Sequence, residues 1–413
     1  MKKTLGIIFL AILCLSTLSI LALNVTAQQS TADSWPMYHH DLAHTGLTAS
    51  AQANANQTLW TFTTNGPVWS SPAVVDGVVY VGSFDHNVYA LDAATGAKKW
   101  DYPTGKQIYS SPAVVNGIVY IGSNDHNIFA LNAKDGSLVW NYSTGNQVQA
   151  APSVSNGIVY VGSNDDNLYA LDATSGALVW KFPTGNDVIS SPAVMDGVVY
   201  FGSYDRKVYA VDAATGTQKW SYTAGSVIES SPVVANGMLY IGCYDNKTYA
   251  LDAATGTSKW NFTAGYDLCV QASPAFANNI IYTGGAYDGN LYALNAATGA
   301  KLWNYTVGGG IICAPALAGN TVYVNSRDFE HSRDNGTYAL DDSTGTLLWS
   351  HQAKGLVYSS PAVVNGVVYI GAHDNKVYAI GQSQNSNTIY ILAAVVAVVV
   401  VILVGVVFIR RRY

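Results

Sequence analysis

The sequence predicts an all-β chain: an eight-bladed β-propeller of four-stranded antiparallel blades, closed by an N-terminal strand and followed by one C-terminal transmembrane helix. Three observations predict it. A proline-led unit recurs with Pro at 72, 112, 152, 192, 232, 274, 315 and 361, the first five 40 residues apart and the rest separated by 42, 41 and 46. A period of this length signals a solenoid or a propeller. A tryptophan recurs once per unit, at Trp60, Trp100, Trp140, Trp180, Trp220, Trp260, Trp303 and Trp349. Finally, residues 389–409 form an uncharged run.

Along the chain, Met1–Ala27 carries Lys2 and Lys3, an apolar stretch and Val25-Thr26-Ala27. This pattern predicts a signal peptide cleaved after Ala27. Cys14 has no small residues before it and is not read as a lipoprotein site. Residues 28–57 form a lead-in segment. Residues 58–380 form the propeller. Each unit holds four short apolar runs, in the first copy Ser71–Val75, Val78–Gly82, Asn87–Leu91 and Lys98–Tyr102. Runs rich in Val, Ile and Tyr, cut by Asp76-Gly77 or Asn116-Gly117, read as strands joined by hairpin turns whose central residues favour positive φ. No copy shows a helical apolar period. The last unit, Ser360–Ile380, lacks its Trp strand, and Thr58–Thr63 precedes any proline strand. The expected solution is that Thr58–Thr63 pairs with Val377–Ile380 and closes the ring, removing an open sheet edge.

Residues 381–388 are a polar linker. The 21 uncharged residues Ile389–Ile409 would span about 32 Å as a helix, enough for a bilayer core of about 30 Å. Arg410, Arg411 and Arg412 open the basic tail, 410–413. Positive residues stay inside. The expected location is therefore a single-pass protein of the cytoplasmic or plasma membrane, with the propeller outside and the C-terminus inside.

The units Ala90-Leu91-Asp92-Ala93-Ala94-Thr95-Gly96 before Trp100, and their copies before Trp180, Trp220 and Trp260, resemble the tryptophan-docking motif of quinoprotein-type (PQQ-like) propellers. Variants stand at Asn132, Asn295 and Asp341-Asp342. The resemblance covers roughly residues 35–380, and Trp35–Gly46 looks like the segment leading into such propellers. It implies that each Trp ring packs on the docking turn of the neighbouring blade. It also brings two functional expectations. The outer-membrane assembly factor BamB is an eight-bladed relative without enzymatic activity. Enzymes of the family bind pyrroloquinoline quinone and calcium, using two adjacent cysteines, a catalytic Asp, and Glu and Asn calcium ligands. No Cys-Cys pair and no CxxCH haem site occur here. The expected reading is a non-enzyme without cofactor or metal.

The chain has 20 Lys and Arg against 26 Asp and Glu, net −6. Lys2, Lys3 and Arg410–Arg412 lie in acid-free ends, leaving 15 basic and 26 acidic residues, or −11, on the rest. This argues against nucleic acid, whose binding needs a basic footprint. Cys243, Cys269 and Cys313 lie in successive blades. One disulfide, Cys269–Cys313, is expected in an oxidising compartment, with the other pairings open. Beyond the expected signal peptide, sequons occur at Asn56, Asn141, Asn246, Asn261, Asn304 and Asn335.

The repeated Asp85, Asp125, Asp165, Asp205, Asp245, Asp288 and Asp374 are expected to accept backbone N–H bonds in turns. They lack the ligand spacing of a calcium loop. His86, His126 and His373 are expected to be too far apart for one metal.

Functional residues should lie where the copies differ. Three residues before each proline stand Trp69, Tyr109, Gln149, Ile189, Glu229, Gln271, Ile312 and Tyr358. They should ring one mouth of the channel, either to bind a peptide or sugar there or to fill the taper. Blade seven carries a longer turn with Arg327, Asp328, Glu330, His331 and Arg333, read as a partner-binding loop against the alternative of a solvated mixed-charge loop. The expected function is a membrane-anchored scaffold for a protein or cell-envelope polymer. The alternatives are a quinoprotein dehydrogenase and a carbohydrate-binding surface protein.

Overall fold

A computed structural model describes residues 33–265, 270–327 and 335–382. The chain forms eight antiparallel sheets of four strands, one of which gains a short fifth strand. Blade one consists of Ala73–Val75, Val78–Gly82, Asn87–Asp92 and Lys98–Pro103. The first strand is shorter than its apolar run, because Ser71 hydrogen-bonds to the next blade. Asp76 and Gly77 take φ of 51° and 72°, the conformation the hairpin signal requires. The second and third strands are packed between neighbouring blades and are buried on both faces, so they read as continuous apolar runs. The outer strand faces solvent and alternates. A bulge shifts the register between Ala90 and Leu91 and recurs beside each docking tryptophan.

Each first strand touches the first strands of the two flanking blades, blade eight meeting blade one. The ring therefore has eight sectors. It closes as expected: Gln57–Thr63 pairs antiparallel with Lys376–Gly381, from Gln57↔Gly381 to Thr63↔Lys376.

Each tryptophan locks two blades. Trp100 Nε1 donates to Ala133 O at 2.9 Å, and the Tyr80 hydroxyl donates to the same oxygen at 3.2 Å. The docking turn needs glycine. Gly96 has φ +72°, and a Cβ there would come within 2.6 Å of the Trp60 ring. Among the described residues, blade eight offers no docking turn to blade seven. The lead-in supplies one: Ala53 O accepts from Trp349 Nε1 at 2.8 Å and from the Tyr323 hydroxyl.

The rest of the lead-in threads across the axis. Its carbonyls at Trp35, Pro36, Leu42, Ala43, Thr45 and Gly46 accept the axial N–H groups of Val74, Val114, Val194, Val234, Phe276 and Leu317. Leu47–Thr48 then adds a parallel strand to blade seven. The segment plugs one end of the channel and satisfies first-strand groups that would otherwise be buried unpaired.

No helix among the described residues is long and apolar enough to cross a membrane. The expected signal peptide 1–27, most of the linker 381–388, the span 389–409 and the tail 410–413 lie outside the described residues.

Candidate functional site

The sequence pattern that opens each first strand places Trp69, Tyr109, Gln149, Ile189, Glu229, Gln271, Ile312 and Tyr358 together at the channel mouth, around a cavity of about 320 Å³. Each blade contributes one residue because the strand start faces the axis in every copy. Beneath them the residue before each proline forms a serine ring. The backbone N–H of one blade donates to the next blade's Oγ: Ser71 to Ser111 at 2.9 Å, Ser191 to Ser231 at 2.9 Å, Ser231 to Ser273 at 2.8 Å and Ser360 to Ser71 at 2.8 Å. The ring breaks where Ala151 and Ala314 replace serine. Tyr38 of the lead-in lies below, its hydroxyl donating to Ser273 Oγ at 3.0 Å. The cavity is thus a cup with a floor. Burial raises the Tyr38 pKa, which keeps the hydroxyl protonated.

The wall has two halves. In blades eight, one and two, Trp69 stacks on Tyr358 with ring centroids 3.9 Å apart and planes 8° from parallel. Tyr109 meets Trp69 edge-on at 5.1 Å, and Phe84 and His373 complete the cluster. The Arg327 guanidinium sits 4.8 Å from the Tyr358 ring centre, a cation–π distance. Across the cup, Glu229 accepts from the Tyr204 hydroxyl at 2.7 Å, the Tyr244 hydroxyl at 2.5 Å and Gln271 Nε2 at 2.8 Å. Burial, then the Glu229 charge, raises the Tyr204 pKa. Among the described residues lining the cup, Glu229 is the one acid and Arg327 the one cation.

Sequence reasoning missed a second ring. The residues before four of the turn aspartates, Phe84, Tyr204, Tyr244 and His373, pack against the first ring. This position changes between copies, from Phe84 through Asn124 and Tyr204 to His373, and that variation was the available signal. His373 belongs to this ring and packs against Trp69 and Tyr358, and burial lowers its pKa. His86 and His126 occupy a different repeat position, in left-handed turns.

The repeated aspartates tie blades together. Asp85 Oδ2 accepts from Asn65 N at 2.8 Å and from the Tyr89 hydroxyl at 2.8 Å. Asp165 and Asp205 do the same with Gly145 and Tyr169, and with Gly185 and Tyr209. Among the described residues no cluster of three or more metal-type ligands occurs.

The expected Cys269–Cys313 bridge needs correction. Cys313 is a free, buried thiol that accepts from Asn325 N at 3.3 Å and donates to Asn325 O. It stands where other blades have the serine that holds this strand crossing, as Ser110 does for Gly122. Cys243 is likewise free and takes the place of Ser83 and Ser203. Burial pushes both thiols up to about 12. Cys269 lies outside the described residues. So do Asp328, Glu330, His331 and Arg333, whereas Arg327 reaches the mouth through a two-way backbone bridge to Gly310.

The sequence profile described as outer membrane protein assembly factor BamB matches residues 45–152, 87–192, 143–227, 164–309 and 269–387. No curated protein sequence matches significantly. Among solved structures, BamB from Moraxella catarrhalis is similar with a TM-score of 0.66 and 21% identity, covering 80% of this chain and 98% of that one. Quinohemoprotein alcohol dehydrogenase from Comamonas testosteroni is similar with a TM-score of 0.72 and 17% identity, covering 87% and 82%. The computationally designed Ika8 protein is similar with a TM-score of 0.68 and 20% identity, covering 80% and 100%. At these identities the likeness concerns the fold alone.

Proposed function

Because the chain belongs to the family of the outer membrane protein assembly factor BamB, we propose that it is a non-catalytic binding module. It would be held at the outer surface of a cytoplasmic or plasma membrane and would hold a protein or envelope polymer at the propeller mouth. The observation that carries this reading is the floored cup. Its wall is built from the residues that differ between blades, while the scaffold residues repeat. A closed floor makes a socket rather than a conduit.

The uncharged run 389–409 and Arg410–Arg412 support the anchor. Gly381 pairs with Val367 at the hairpin end of blade eight, opposite the mouth. Residues 382–388 reach about 25 Å at full extension. An anchored disc would therefore turn its plugged face to the bilayer and its cup away from it.

A quinoprotein dehydrogenase is the rival reading, because such enzymes share the fold. The residues present do not fit that cofactor. Tyr358 already covers the Trp69 face on which a planar quinone would lie. Glu229 has its oxygens engaged by Tyr204, Tyr244 and Gln271. Arg327 alone is at hand among the described residues lining the cup to offset several carboxylates. The same stacking obstructs a sugar platform on Trp69, so a glycan would have to bind along the Gln149–Glu229–Gln271 side.

A photo-crosslinking residue at Gln149, in the full-length protein in its own membrane, should capture one recurrent partner. The same residue at Thr61, on the outer rim, should not. Equal capture from both positions, or none from Gln149, would reject the cup as the binding site. Dye-linked alcohol or sugar oxidation after reconstitution with the quinone and calcium, lost in Glu229→Ala, would reverse the choice in favour of the enzyme.

A further inference from the structure

We infer that the outer rim carries N-linked saccharide at Asn141, Asn261 and Asn304. The inference rests on the extracytoplasmic placement proposed above and goes beyond the role of the cup. These three asparagines occupy one repeat position, directly after the docking Trp140, Trp260 and Trp303, and each begins an Asn-x-Ser/Thr sequence. All three are exposed and lie on the outermost strand of their sheet.

In a strand, residues i and i+2 share a face, so the hydroxyl of the motif lies beside the carboxamide. The contacts bear this out. Asn127 Oδ1 accepts from Ser143 Oγ at 2.6 Å and lies 3.5 Å from Asn141 Nδ2. Asn290 Oδ1 accepts from Thr306 Oγ1 at 2.7 Å and from Asn304 Nδ2 at 3.0 Å. In blade five the equivalent residue is Lys247, and the Asn261 carboxamide has no hydrogen-bond partner among the described residues. These amides are reachable on the finished fold.

In two of the remaining sequons backbone carbonyls, not a neighbouring side chain, hold the amide. Asn246 sits at φ 68° in a tight turn, and its Nδ2 donates to Ala264 O at 3.0 Å and Gly265 O at 2.6 Å. Asn56 Nδ2 donates to Ser350 O at 2.8 Å against the edge of blade seven. Asn335 is half-buried.

Edge protection gives the Asn141 site a physical purpose. An open outer strand invites pairing with another chain, and Lys or Pro on the edge opposes it. Blade one has Lys98, Lys99 and Pro103; blade three has Lys181 and Pro183; blades four, five and six have Lys219, Lys259 and Lys301. Blade two has neither and exposes Leu138 and Val139, each at 46%. Asn141 is the exposed polar residue at the middle of that edge.

The donor is an oligosaccharide linked through phosphate to a polyisoprenoid. The Asn Nδ2–C1 bond forms as the C1–O bond to the lipid phosphate breaks. The phosphate leaves with the anomeric oxygen, and the amide gives up one proton.

Full-length protein purified from its native membrane should yield glycopeptides at Asn141, Asn261 and Asn304 by mass spectrometry, with Asn246 unmodified. Asn261→Gln and Thr263→Ala should each remove one saccharide increment from the intact mass. Unmodified rim peptides would overturn the inference, and so would modification of Asn246 with the rim bare. Proteinase shaving of intact cells separates the causes. If the propeller is shaved while the rim is bare, only the glycan inference fails. If the propeller is protected, the surface placement fails with it.

Discussion

A single carbonyl per blade boundary carries much of the cohesion. Ala133 O receives both the Trp100 indole and the Tyr80 hydroxyl, and a Trp ring covers the docking glycine. Trp100→Ala should cost about 3–5 kcal/mol, the usual range for losing a buried Trp. Tyr80→Phe should cost about 1 kcal/mol, one hydrogen bond. Urea unfolding of both variants checks the order. Another residue-scale effect is titration. His39 and His44 are buried in the plug, each with Nδ1 at a carbonyl, of His44 and Pro232 respectively. A carbonyl only accepts, so Nδ1 carries a proton in each ring. Burial lowers their pKa values to about 3 and about 4, from 6.5. The unfolded chain therefore takes up protons first as pH falls. Stability from these two groups is complete above about pH 6.5 and is lost from there down towards pH 3. The midpoint of urea unfolding should fall across that window, and His39→Gln with His44→Gln should flatten the slope. A slope unchanged in the double variant would remove these histidines from the explanation.

At the scale of elements, two segments distant in sequence finish the ring. The strand Gln57–Thr63 supplies the fourth strand of blade eight, and Ala53 supplies the docking carbonyl for Trp349 of blade seven. Ending the chain at Asp374 would strand Gln57–Thr63 without a partner and open two sheet edges. That truncation should be recovered as aggregate or lose its cooperative thermal transition. Removing residues 33–53 would instead leave the blades paired and free the axial N–H groups of Val74, Val114, Val194 and Val234. Hydrogen exchange at those amides should quicken by orders of magnitude, while outer-strand amides change little. Uniform exchange across the disc in that deletion would mean the plug is needed for folding itself.

For the whole molecule, nearest-neighbour packing makes the disc a closed version of a one-dimensional repeat. Orientation is the property that only the complete ring defines. Fluorophores on Lys106→Cys, beside the mouth, and on Lys134→Cys, beside the hairpin face, lie on opposite sides of the disc. In full-length protein reconstituted into vesicles, a headgroup quencher should dim the Lys134→Cys label several-fold more than the Lys106→Cys label. The reverse order would place the cup against the bilayer.

The eight blades, the closing strand and the first ring of mouth residues were legible in the chain, because a repeat with a fixed period displays its register and marks every departure from it. Trp69, Gln149 and Glu229 stood out as differences at one position among otherwise like copies. Nothing local could foretell that Tyr38 floors the cup or that Ala53 completes a blade some 300 positions away. Nor could it foretell that Cys313 bonds its own strand crossing instead of a second cysteine. Those contacts join segments without a shared pattern. Short-range spacing determined which strands this protein makes, whereas ring closure decided which unlike residues meet, since only in the closed disc do the lead-in and all eight strand starts converge on one axis.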